Sequence, residues 1–77
     1  MKINNSNIIR LYIAVSDNKI IHVASGLKQF VHEMKEIDKH VKSKTYYENH
    51  FKTNEFYYFQ NPQTGKQYTF QKIENQK

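Results

Sequence analysis

Four histidines and the carboxylates near them are the side chains with the widest chemical reach in this 77-residue chain. His32, Glu36 and His40 stand at i, i+4 and i+8, which would line them up along one helix face as a row of metal ligands. Three features count against that chemistry. The row lies opposite the apolar stripe of the same segment and so points to solvent. It drifts around the helix, and no fourth ligand accompanies it. The recognised zinc spacings are missing: His32-Glu33 opens a His-Glu-x-x-His motif, but Glu36 stands where the second histidine belongs. A solvated face laced by the pairs His32–Glu36, Glu36–His40 and Asp38–Lys42 accounts for the same residues. Nucleophilic chemistry is no better supplied. Cysteine is absent, no serine sits in a Gly-x-Ser-x-Gly setting, and two glycines are too few for a phosphate-cradling loop. The carboxylates are scattered, with nothing to shift a catalytic pair. We therefore expect no metal, no cofactor and no catalysis, but a protein that works by binding.

Rings and lysines are the side chains left to do that binding. Six Tyr and five Phe make 14% of the chain. Tyr offers contact area with a polar tip, which suits surfaces that meet a partner. Part of this aromatic content must fill the core, because only Leu11 and Leu27 supply leucine. The core share is greatest for Phe30, Phe51 and Phe70. Tyr12, His22, Tyr46, Phe56, Tyr58 and Tyr68 are the candidates for contact with a protein partner. The alternative partner is nucleic acid, met by Lys39, Lys42, Lys44, Lys52 and Lys66. Cations are favoured at a helix C-terminus in any case, by about 0.3–1 kcal/mol each, so the run from Lys39 to Lys44 is better explained without a ligand than by one.

The net charge of +5 favours acidic partners. Eleven of the twelve basic residues are Lys, however, and Lys, Asn and Ile together make 27 of the 77 residues. That bias is what an AT-rich genome produces. It dilutes the charge signal, and a lone Arg10 is poorly suited to bidentate guanine reading. The balance tips toward protein. The length fits a single small domain over 1–77, with 1–7 frayed, and a domain this small gains core by pairing, so a homodimer is expected. Lack of cysteine fits a reducing compartment. No run approaches the length of a membrane span, and the polar start is not a signal sequence. A cytoplasmic protein is the expectation, without a membrane partner.

These candidates need elements to hold them. Residues 8–15 are β-branched and alternating and read as a strand, with 20–25 as its partner across Ser16-Asp17-Asn18. A three-residue loop pairs Val15 with Ile21 and Ile13 with Val23. It thereby gathers Leu11, Ile13, Val15, Ile21 and Val23 on one apolar face, the expected core face. Leu27, Phe30, Val31, Met34, Ile37 and Val41 form a helical stripe over 27–42 with Ser25 as N-cap. Thr45 and Glu48 have capping-box spacing, which predicts a short second helix over 46–52; one longer helix is the alternative. Asn61-Pro62-Gln63-Thr64-Gly65 then turns a hairpin between two aromatic strands, pairing Phe59 with Tyr68 and Tyr57 with Phe70. One set of rings, Tyr57, Phe59, Tyr68 and Phe70, opposes another of Phe56 and Tyr58 with Ile73. Only one set can meet the helix.

The order is β-β-α-(α)-β-β, an α+β fold with a four-stranded antiparallel sheet and an amphipathic helix on one face. The hairpin, with Thr64-Gly65-Lys66 joining two aromatic strands, resembles the sheet of arm-type DNA-binding domains in tyrosine recombinases. The likeness covers under a quarter of the chain, and its motif is common to many hairpins, so no family is assigned on it. The pattern as a whole fits a small non-catalytic regulator or inhibitor of the phage or mobile-element kind, docking a Tyr-bearing sheet face or edge on a macromolecule.

Overall fold

The computed structural model describes residues 8–76, with side chains over 10–74. The expected fraying of residues 1–7 lies outside the described residues. Four strands, β1 (Ile8–Ser16), β2 (Lys19–Ala24), β3 (Phe56–Gln60) and β4 (Gln67–Gln76), form one antiparallel sheet in the order β2-β1-β4-β3. Two helices, α1 (Leu27–Ile37) and α2 (Lys44–His50), lie between the hairpins in sequence. The α+β architecture expected from the pattern is the one observed. The first and last strands pair at the centre, from Ile8↔Gln76 to Val15↔Thr69, so the middle of the sheet joins the two ends of the chain.

The first hairpin corrects the expected loop. Asp17 and Asn18 both have positive φ (55° and 63°) and make a two-residue turn, the geometry that matches strand twist. A bulge then shifts the register: Val15 faces Ile20 while Ala14 faces His22, leaving Ile21 as the extra residue. Beyond the bulge, Ile13 pairs with Val23 as the face parity predicts. A short turn plus one bulged residue gives the same parity as a three-residue loop.

The larger correction concerns the core face. The helices cover Tyr12, Ala14 and Ser16 of β1, not Leu11, Ile13 and Val15. Volume explains the choice. The helices bring large side chains: Phe30, Met34 and Tyr47 are fully buried, and Phe51 nearly so. Small residues, Ala14, Ser16 and Ala24, leave room for them, whereas a wall of branched residues would hold the helices off. Phe30 packs edge-on to Phe70 (5.2 Å between ring centres) and beside Tyr12 (6.0 Å). Each large side chain so buried contributes roughly 1.5–3 kcal/mol.

The helix ends also differ from expectation. Gly26, not Ser25, is the N-cap of α1, with no side-chain bond. The helix stops at Ile37 rather than near 42, and Ile37 itself is exposed. Asp38 ends it: its carboxylate accepts the backbone N–H of His40 (2.9 Å), which turns the chain out of the helix. Ser43 then caps α2 by accepting from the Tyr46 N–H (3.3 Å), so α2 starts two residues before the expected position and Thr45 has no capping role. The segment 27–52 is therefore two helices. The second hairpin follows the expected register. Asn61 Oδ1 accepts from the N–H groups of Gln63 and Thr64 (2.8 and 3.1 Å), and Gly65 takes φ +77°.

Candidate interaction surface

Both helices lie on one face of the sheet, which leaves the other face open. Strand pairing arranges its side chains in three mainly apolar cross-strand rows, with the amide pair Gln60–Gln67 beyond them at the β3–β4 turn end of the same face. The first runs Ile20–Val15–Thr69–Tyr58, the second Val23–Ile13–Gln71–Phe56, and the third holds Leu11 and Ile73. Tyr58 is 72% exposed, Ile20 63%, Val23 46% and Phe56 40%; Leu11, Ile13, Val15 and Ile73 are half-buried by their neighbours alone. Phe56 and Tyr58 stack side by side (6.2 Å, 10° between planes), forming an aromatic rim on the edge strand β3.

No row contains a charged residue. The charged residues of the strands, Arg10, Lys19, Lys72 and Glu74, all take register positions on the helix side. There they are paired or anchored where contacts are seen. Arg10 Nη2 meets Glu74 Oε2 at 2.7 Å, and Lys72 Nζ donates to the Phe51 carbonyl at the end of α2 (2.8 Å). Among the described residues, the strand side chains on the side of the sheet without helices are thus uncharged and largely apolar, in a chain that is one-quarter charged. Contiguous exposed apolar surface of this kind marks interaction sites.

The six candidate contact residues divide between the two sides. Phe56 and Tyr58 belong to the open face. Tyr46 is exposed on α2, edge-on to Tyr57 (5.7 Å). Tyr12 and Tyr68 are corrected: both are buried under the helices, where Tyr68 stacks on Phe59 (5.4 Å). His22 is corrected with them. It also lies on the helix side, its Nε2 2.6 Å from Glu33 Oε1 on α1 and its ring beside Phe30. Hydrophobicity alone favours the other face of β1; side-chain volume decides against it. The signal that would have found Leu11, Ile13, Val15 and Val23 is the alternation with alanine: Ala14 and Ala24 mark where large helix residues must seat.

The inner rings form a closed aromatic cluster. Burial pushes the Tyr57 phenol up, and the neighbouring Tyr46 and Tyr47 hydroxyls add to this. The hairpin is tied to the helices by one buried carboxylate. Asp38 accepts from Asn61 Nδ2 (2.7 Å) and from both the backbone N–H and ring Nδ1 of His40, and it faces the Tyr68 hydroxyl. Burial alone would raise this carboxyl; the hydrogen bonds from Asn61 and His40, with the Tyr68 hydroxyl facing it, outweigh burial and hold it below its ordinary value.

The candidate lysines do not make one patch. Lys39 and Lys66 line an open cleft of about 670 Å³ between the end of α1 and the β3–β4 turn, together with Lys35 and His40. Lys42 lies over the Tyr46 ring (5.6 Å), and Lys44 pairs with Glu48 (3.3 Å). Lys52 lines a different depression, beside Glu55 and Glu74. In the His32–Glu36–His40 row, His32 and Glu36 are 4.0 Å apart and exposed, while His40 lies past the helix end and bonds Asp38 instead. Among the described residues, no group of three or more His, Asp or Glu could hold a metal ion, and no helix is long and apolar enough to cross a membrane. The chain matches no family model, no curated protein and no solved structure.

Proposed function

We propose that this is a non-catalytic binding protein whose docking surface is the open face of its sheet, and that it binds protein rather than nucleic acid. One observation carries the reading. The apolar rows are free of charge while every strand charge is turned to the other side. A nucleic-acid surface would need cations along the contact to release counterions, and among the described residues the strand positions of this face offer none. An apolar, aromatic-rimmed face instead fits a protein surface of like character. The proposed setting is the cytoplasm, and the proposed role is regulatory or inhibitory, of the kind small phage and mobile-element proteins exert.

The test is affinity capture from native cells with and without nuclease, comparing the natural chain with Tyr58→Ala and with Lys39→Ala/Lys66→Ala. The reading expects protein capture that survives nuclease, changes little with salt, and falls on Tyr58→Ala alone. Capture that disappears with nuclease, falls steeply with salt and depends on the lysines would overturn it in favour of nucleic acid.

A further inference from the structure

We infer that the protein docked on the open face is a second copy of this chain, related by a two-fold axis that runs parallel to the strands between β1 and β4. This rests on the reading that the open face is a docking surface. An isologous contact requires a patch complementary to itself, and this one grades from small to large across the sheet. Val23 stands at the β2 edge, Phe56 at the β3 edge, and Ile13 and Gln71 lie between. A two-fold axis along the strands reverses that order in the second copy. It lays the aromatic rim of each chain over the aliphatic edge of the other and keeps the gap between sheets even.

The single amide in the middle row finds its match the same way. Strands about 4.8 Å apart in sheets about 10 Å apart put Gln71 and its counterpart diagonally across the axis at roughly 11 Å. Two glutamine side chains span that distance and bond each other. Charge agrees: each chain carries +5, yet no like charges meet in the rows. The strand and row spacings give roughly 400 Å² per copy and about 800 Å² in total, the size of a weak, transient interface. The dimer is accordingly weak.

Sedimentation or light scattering from about 1 µM to about 1 mM tests this. The mass should rise from 9.3 kDa toward twice that value. Val23→Glu and Phe56→Lys, each at a sheet edge, should each stay monomeric, because each buries a charge. Mixed in equal amounts they should re-associate, because the axis sets position 23 of one chain against position 56 of the other. Circular dichroism and a thermal melt check that both variants fold. A natural chain that stays monomeric at the highest concentration overturns the inference, as do variants that dimerise alone or a mixture that fails to associate. A monomer that still captures another protein through Tyr58 would sink the second copy and leave the docking face standing. A monomer that captures nothing would sink both.

Discussion

Replacing Asp38 with Ala tests whether one carboxylate fixes how the second hairpin is presented. Asp38 is buried at the end of α1 and holds Asn61 of the β3–β4 turn, His40 and the Tyr68 hydroxyl. Asp38→Ala leaves the buried Asn61 amide without its acceptor and removes the carboxylate that faces the Tyr68 hydroxyl, while the His40 N–H can turn to water. Each buried orphan costs about 1–3 kcal/mol. Release from burying a charge offsets part of this, so a net loss of about 2–4 kcal/mol is expected. A core this small supplies only a few kcal/mol in total, so the variant should be largely unfolded or close to it. The assay is urea denaturation followed by circular dichroism, with Tyr68→Phe and the double variant completing a cycle; the double loss should be less than the sum. The sign with pH follows from the lowered Asp38 value. Its contribution is full above the unfolded carboxyl pKa of about 3.9 and fades as pH falls through the still lower folded value. The gap between Asp38→Ala and the natural chain should therefore hold at neutral pH and close in acid. A loss below about 0.5 kcal/mol, or a gap that persists unchanged near pH 2, would refute the anchoring argument.

Three further outcomes follow from the packing. Ala14→Leu should destabilise by about 1–3 kcal/mol through overpacking beneath Phe30, whereas Leu11→Ala on the open face should cost under about 1 kcal/mol; the reverse order in denaturant midpoints would mean that the faces are assigned wrongly. Phe30→Ala should cost about 3–5 kcal/mol and abolish the cooperative thermal transition. Asn18→Gly removes the steric penalty at φ 63° and should stabilise the fold by a few tenths of a kcal/mol, seen as a slightly raised melting temperature; a lowered one would contradict the observed turn.

Local pattern carried much of this fold. Alternation placed the strands, the Leu27–Met34 spacing placed α1, and Asn61 with Gly65 set the register of the second hairpin. What local pattern did not carry was the pairing of β1 with β4, because contacts between chain ends leave no local signature. The choice of face failed for a related reason. Leu11, Ile13 and Val15 are the more hydrophobic set, but Ala14 and Ser16 are the set that admits Phe30 and Met34. The early end of α1 turned on one side chain: Asp38 reads as a polar blemish in an apolar stripe until its bonds to His40 and Asn61 are seen. Phe56 and Tyr58 were candidates from sequence and stand on the open face. Tyr12, Tyr68 and His22 were candidates too, and lie beneath the helices, because strand parity was known within each hairpin but not relative to the helices.

The most direct measurement of the docking face is methyl NMR on the isotopically labelled chain, as its own concentration is raised and then with nuclease-treated native extract added. Shifts or broadening confined to the methyls of Leu11, Ile13, Val15, Val23 and Ile73 are the predicted result, with Leu27 and Val31 on the buried face of α1 unmoved. Changes that instead cluster around the Lys39–Lys66 cleft, or that leave the open-face methyls silent in both titrations, would contradict the account.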